Sequence, residues 1–197
     1  MYHCVLGAAS FFAFLFQIDV DLAAQAKALG CPDCGGRLDG SNYPRKPRGA
    51  CCRLGPEYDK RLSFCCAERD CRKRVTPPSV RFLGPKVYLG CAVVLVAAMR
   101  HGLSRARLAR LRQVLGVAES TVARWRTFWQ ELFPASRFWQ AAKARFAEPV
   151  LVEELPASLL ERFTGDLATA LVALLRFLAP MTTSSAHAHR GGKGGWR

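Results

Sequence analysis

The clearest chemistry in the chain lies in two spaced pairs of cysteines. In Cys31-Pro32-Asp33-Cys34-Gly35 two residues separate the thiols, and Pro and Gly supply the tight turn that aims both sulfurs and the adjacent N–H groups at one point. Cys66 and Cys71, with four residues between them, offer a second pair, flanked by Phe64, Val75 and a Thr76-Pro77 turn. Four such thiolates suit a closed tetrahedral structural Zn2+ site made of Cys31, Cys34, Cys66 and Cys71. Because a strand alternates its side chains, one of the adjacent Cys65 and Cys66 faces the metal. Cys66 is the choice that leaves Cys65 on an apolar face, although Cys51, Cys52 or Cys65 could replace a ligand. Cys4 and Cys91 stand in apolar surroundings and read as small core residues. No His or Asn is placed to activate a thiol nucleophile, so no complete catalytic constellation is visible and no enzymatic activity is expected.

The second chemistry is cationic. Between Arg45 and Arg126 there are 19 Lys and Arg against 5 Asp and Glu, so the formal net charge of +14 sits in the middle of the chain. A localised excess of that size points to a polyanion, with nucleic acid ahead of a membrane surface. Tyr43-Pro44-Arg45-Lys46-Pro47-Arg48 is held extended by its prolines, and Arg45, Lys46 and Arg48 on such an arm could lie along phosphates or in a minor groove. Cys71-Arg72-Lys73-Arg74 adds a second basic cluster beside the cysteines.

The stretch from Leu108 to Trp129, LARLRQVLGVAESTVARWRTFW, shows how those cations are carried. Leu108, Leu111 and Leu115 fall on one helical face, Gly116 permits a turn, Val117 packs beneath it, and Val122 with Trp125 forms the inner face of a second helix. The Gly-Val, Ser-Thr-Val and Trp125 spacing resembles the helix-turn-helix of transposases, resolvases and many bacterial regulators. The resemblance covers about 22 residues. It implies that the second helix enters a major groove by its N-terminal half, with Glu119, Ser120, Thr121, Ala123, Arg124 and Thr127 exposed toward the DNA. Arg124 would fork onto a guanine, Ser120 and Thr121 would reach phosphate or base edges, and Arg105, Arg107, Arg110 and Arg126 would neutralise phosphates. Ala118 stands where a capping Ser is common.

The elements that must position these groups follow from length and pattern. With 197 residues, half of them apolar, the chain can bury a core in one or two small domains. Four segments are expected: an apolar start and a short helix over 22–29 closed by Gly30 (residues 1–30); a basic, zinc-ribbon-like segment (31–84) with too little periodicity for a conventional core; a helical domain (85–180) holding the helix-turn-helix at 103–132; and a disordered tail (181–197). Helices are placed near 85–100, with Pro85 at its first turn, and near 103–115, 119–132, 136–147 and 157–179, the last broken at Thr164-Gly165-Asp166. The fold class is therefore mainly α with a small Cys4 zinc ribbon. Leu160, Phe163, Leu167, Leu171, Leu174 and Leu178 make a stripe suited to core packing or to a homodimer. The apolar runs 5–16 and 87–99 are short for a membrane span, and no basic leader precedes the first. The expected location is a reducing cytoplasm, without a membrane partner.

Taken together, a CPxCG knuckle, a second Cys pair trailed by Arg and Lys, and a helix-turn-helix resemble the N-terminal region of bacterial insertion-sequence transposases and their small accessory proteins, over residues 31–133. YPRKPRG, PPSVRFLG and KVYLG are similar to uncharacterised bacterial proteins of mobile elements. This resemblance implies sequence-specific binding of double-stranded DNA at the nucleoid, in transposition or its regulation, beside a separately encoded transposase. The nuclease domain of that family carries three carboxylates, whereas Glu148, Glu153, Glu154, Glu161 and Asp166 here read as solvated charges or caps. A second reading of the same features is a zinc-stapled protein-interaction adaptor or a transcriptional regulator unrelated to transposition.

Overall fold

The computed structural model describes residues 5–83, 88–99 and 104–183, without the side chain of Arg107. The expectations resting on Cys4, on Pro85 and on residues 184–197 fall outside these residues. Within them helix dominates, accompanied by two small antiparallel sheets.

The N-terminus departs from expectation. Instead of an apolar run and a short helix, one helix, α1 (Ala9–Leu29), spans the whole stretch and ends at Gly30. The sequence between Ala9 and Leu29 holds no Gly or Pro to break it, and Gln17, Asp19 and Asp21 continue the helix where they read as the end of the run. By length and composition alone α1 could cross a membrane, but a third of its most apolar 18-residue window is buried in this protein. Phe11, Phe12, Leu15 and Ile18 face the core, where Phe12 meets the edge of Tyr58 at 5.8 Å and Tyr58 meets Phe82 at 6.4 Å. The Tyr58 hydroxyl donates to the Phe12 carbonyl at 2.6 Å.

After α1 come β1 (Leu38–Gly40), β2 (Tyr43–Pro44), β3 (Lys60–Arg61), β4 (Phe64–Cys66) and β5 (Arg74–Val75). One sheet has the order β1-β4-β5, with Leu38 opposite Cys66 and Phe64 opposite Val75; β2 and β3 form the other, with Tyr43 opposite Arg61. A small cluster of Ala23, Cys31, Leu38, Phe64 and Cys66 is all the apolar interior this part owns.

Helix α2 (Gly90–Ala97) is buried on every side from Cys91 to Val96, as a helix apolar all round must be, and packs on the helices Glu119–Thr127 and Leu167–Leu178. It begins five residues after Pro85, because Tyr88 and Leu89 are extended: Tyr88 bridges to Arg48, and the Leu89 N–H donates to the Arg48 carbonyl at 2.9 Å. Helices α3 (Arg105–Leu115) and α4 (Glu119–Thr127) follow. A π turn, Phe128–Leu132, continues α4 with a Phe133 N–H to Phe128 carbonyl bond of 2.7 Å, so that Phe128, Trp129 and Phe133 all reach the core.

The remaining helices are α5 (Arg137–Ala142), α6 (Ala157–Leu160) and α7 (Leu167–Leu178). The break falls at Thr164-Gly165-Asp166, where the Asp166 carboxylate caps α7 by accepting from the Thr169 N–H at 2.8 Å and is held below the usual carboxylate range by that bond. Leu171, Leu174 and Leu178 are buried in the protein's own core, while Leu160, Phe163 and Leu167 are half-buried against it. The start of the expected tail is ordered: Thr182 is buried, and its hydroxyl accepts from the Ser79 N–H at 2.8 Å.

The centre of the molecule holds an ion pair. Asp19 of α1 is 1% exposed and Arg81 not at all; Nε of Arg81 lies 2.7 Å from Asp19 Oδ2. The carboxylate also accepts from the Ser79 hydroxyl (2.6 Å) and the Val80 N–H (2.7 Å), and Arg81 donates to the carbonyls of Glu57 and Lys60. The rings of Phe16, Tyr58 and Phe82 surround the guanidinium at 4.9 to 5.1 Å. A buried pair of this kind is tolerated only when its remaining donors and acceptors are satisfied, as here.

Candidate functional site

The four predicted cysteines meet. Their sulfurs all lie within 4.8 Å of one another, with Cys31 and Cys71 at 3.7 Å and Cys34 and Cys66 at 3.5 Å. Two knuckles bring them there by the same backbone device. In the first, the Gly35 N–H donates to the Cys31 carbonyl at 2.8 Å and Gly35 takes φ +73°. In the second, the Arg72 N–H donates to the Glu68 carbonyl at 3.0 Å and Arg72 takes φ +46°, the one non-glycine residue at positive φ among the described residues. Each left-handed residue directly follows the second cysteine of its pair and turns the chain away from the sulfurs.

The antiparallel pairing of β1 with β4 holds Cys66 over Leu38 and fully buried. Burial pushes the Cys66 thiol up, whereas the backbone N–H of Asp33 brings Cys31 down to about 7. Lys73 and Asp33, 2.7 Å apart, tie one knuckle to the other at the surface. Four thiols so placed, two of them buried, could hold a metal ion. Strand alternation chose Cys66 correctly, but Cys65 does not lie on an apolar face: Phe64 and Cys66 share the buried side, and the Cys65 thiol reaches the Arg72 carbonyl at 3.3 Å on the other. Cys51 and Cys52 are half-buried against the helical core, outside the cluster, and Cys91 is buried, its thiol pushed up to about 12 by burial.

Helices α3 and α4 are joined through Gly116 at φ +63°, with Leu111, Leu115, Val117, Val122 and Trp125 buried as the spacing requires and Leu108 half-buried. On α4, Ser120, Ala123, Arg124 and Thr127 are exposed together with Glu119, and on α3 so are Arg105, Arg110 and Arg112. Two assigned contacts sit elsewhere. Thr121 is buried, because it precedes Val122 by one residue and Trp125 by four and so lies on the inner edge of the helix; its hydroxyl accepts from Arg124 Nη2 at 3.0 Å. Arg126 is half-buried and lines a cavity of about 440 Å3 with Gln130, Glu153 and Glu154. Ala118 caps α4 in extended geometry with no side-chain hydrogen bond. Ala118→Ser is therefore expected to add about 1 kcal/mol of stability, read as a higher urea midpoint with an unchanged slope; a lower midpoint would refute the cap geometry.

The proline-rich arm is not free. Tyr43 and Pro44 pair with β3, the Arg45 N–H donates to the Asp59 carbonyl, and the Arg45 guanidinium turns inward over the rings of Tyr43 and Phe82 at 5.2 and 6.0 Å. Lys46 and Arg48 remain exposed, and they border a cavity shared with Val114 and Leu115 at the end of α3. The arm reaches α4 through Tyr88, whose ring meets Trp125 edge-on at 5.1 Å.

Counting charge along the chain overstates the cationic surface, since Arg61 and Arg81 are buried. The Asp19–Arg81 pair had no local sequence signal, since its members stand 62 residues apart. A scan of family models and searches of curated proteins and of solved structures find no match to the chain.

Proposed function

We propose that this protein recognises duplex DNA by sequence through α4, in transposition or its regulation, and that a structural Zn2+ held by Cys31, Cys34, Cys66 and Cys71 keeps its basic lobe folded. The observation that carries the reading is the division of α4 into two faces. Val122 and Trp125 anchor one of them in the core, while Ser120, Arg124 and Thr127 stand exposed on the other. A helix anchored that way presents its N-terminal half to a major groove. Arg105 and Arg110 on α3 and Lys46 and Arg48 on the arm supply cations for phosphates nearby. The place in transposition rests on the resemblance of the cysteine knuckles and the helix-turn-helix pattern to insertion-sequence proteins. Zinc rests on the donor set: tetrahedral ligation at about 2.3 Å sets sulfurs about 3.8 Å apart, close to the separations of 3.5 and 3.7 Å.

Duplex-DNA binding by the full chain across a salt series, with metal content measured on the same sample, tests the reading. Expected are one zinc per chain, an affinity falling steeply with salt, and an Arg124→Ala variant that loses about 1 to 3 kcal/mol of discrimination between duplex sequences. A zinc-loaded chain with no affinity for duplex DNA would overturn it in favour of a protein-interaction adaptor.

A further inference from the structure

Two guanidiniums lie over Tyr43, and a third belongs to its partner across the β2–β3 pair. Tyr43 and Arg61 are direct partners in the β2–β3 register, which sends both side chains off one face of the pair. Arg45 and Arg74 lie over the Tyr43 ring, their central carbons 5.2 and 5.6 Å from its centroid. Arg45 Nη2 also reaches the Tyr43 hydroxyl at 3.4 Å, and Arg74 Nη1 is positioned by the Ser41 carbonyl and the Ser63 hydroxyl.

Arg61 is 2% exposed; its Nη2 donates to the Pro77 carbonyl, but its buried Nη1 has no hydrogen-bond partner among the described residues. Burial works against the charge on Arg61; Asp19 and Tyr43 support it, while Arg81 and Arg45 oppose it. Asp19 itself is engaged by Arg81, Ser79 and Val80. An orphaned buried donor and crowded like charges are costly features, and an anion would relieve both.

We propose that Arg45, Arg61, Arg74 and the Tyr43 hydroxyl form a binding site for a phosphoryl oxyanion. Planar guanidinium forks match the oxygens of such a group, and an oxyanion has the acceptors that Arg61 Nη1 lacks. The oxyanion is either a backbone phosphate of bound DNA or free orthophosphate. The first case rests on the DNA reading above and gives the duplex a contact on the β2–β3 pair, apart from α4; the second is independent of that reading.

Inorganic phosphate is the first probe, added to the full chain as purified, with thermal unfolding compared between sodium phosphate and sodium chloride at equal ionic strength. The expected result is a saturable rise of the midpoint in phosphate. Each variant is judged against its own midpoint in chloride, so a general loss of stability does not obscure the answer. Arg74→Gln should abolish the phosphate increment, and Arg112→Gln, exposed on α3, should keep it.

No increment in the wild type, or one that survives Arg74→Gln, overturns the site. A DNA salt series with Arg74→Gln then separates the two sources. A slope smaller by about one marks a duplex phosphate, whereas an unchanged slope with the phosphate increment lost marks free orthophosphate. Because the increment is measured without DNA, failure of the DNA reading leaves it standing.

Discussion

Arg81→Ala should cost about 3 to 5 kcal/mol, a large share of the roughly 5 to 15 kcal/mol that keeps an ordinary domain folded. The substitution strands the Asp19 carboxylate in the core with its hydroxyl and amide donors but no counter-ion, and it removes the guanidinium from between Phe16, Tyr58 and Phe82. Asp19→Leu alone should be as damaging, because it strands the cation instead. The double variant Asp19→Leu with Arg81→Met should cost less than either single change, since neither member of the pair is then left without the other. Urea unfolding of the four proteins checks this. Single changes costing under about 1 kcal/mol, the worth of an exposed pair, would show that the two charges are not desolvated together.

Loss of the metal should have the other large effect. On the zinc reading proposed above, Cys66→Ser, or a chelator applied to the wild type, is expected to take zinc from one per chain to none, and structural zinc in small domains is worth about 10 to 16 kcal/mol. The loss should be confined. The small cluster of Ala23, Cys31, Leu38, Phe64 and Cys66 depends on the knuckles, whereas Tyr58 and Phe82, although they lie between or just after the cysteines in sequence, belong to the main core. Amide exchange should therefore accelerate across β1, β4 and β5 while α2 and α7 stay protected. A Cys66→Ser chain that keeps its metal, or keeps slow exchange in β4, would show that another thiol completes the site.

What the sequence made legible was mostly local. The CPxCG turn, the choice of Cys66 over Cys65, the Gly116 turn and the Thr164-Gly165-Asp166 break each depend on a few consecutive residues, and each stands where the pattern put it. Helix phase gave Val122 and Trp125 correctly and misplaced Thr121 by one position around the helix, enough to turn a proposed contact inward. Non-local pairings were hidden. Arg61 and Arg81 look like surface charge until Pro77 and Asp19 are placed beside them, 16 and 62 residues away. The same blindness split α1, because Asp19 reads as the end of an apolar stretch unless its distant partner is known. Phe12 is covered by Tyr58, itself packed on Phe82, within a segment whose own pattern promised no conventional core, whereas Phe14 stays half exposed.

The clasp of Asp19, Ser79 and Thr182 also sets an order of events during synthesis. Ser79 bonds back across 60 residues to Asp19 and forward across 103 to Thr182, so the network closes only when nearly all of the described chain has left the ribosome. At typical translation rates the 163 positions from Asp19 to Thr182 take on the order of ten seconds. Phe12 meets Tyr58 46 residues later, but Phe11 and Phe14, which border a cavity with Ala168, Val172 and Arg176, wait for α7. Such long-range closure slows folding and leaves one side of an apolar helix uncovered meanwhile.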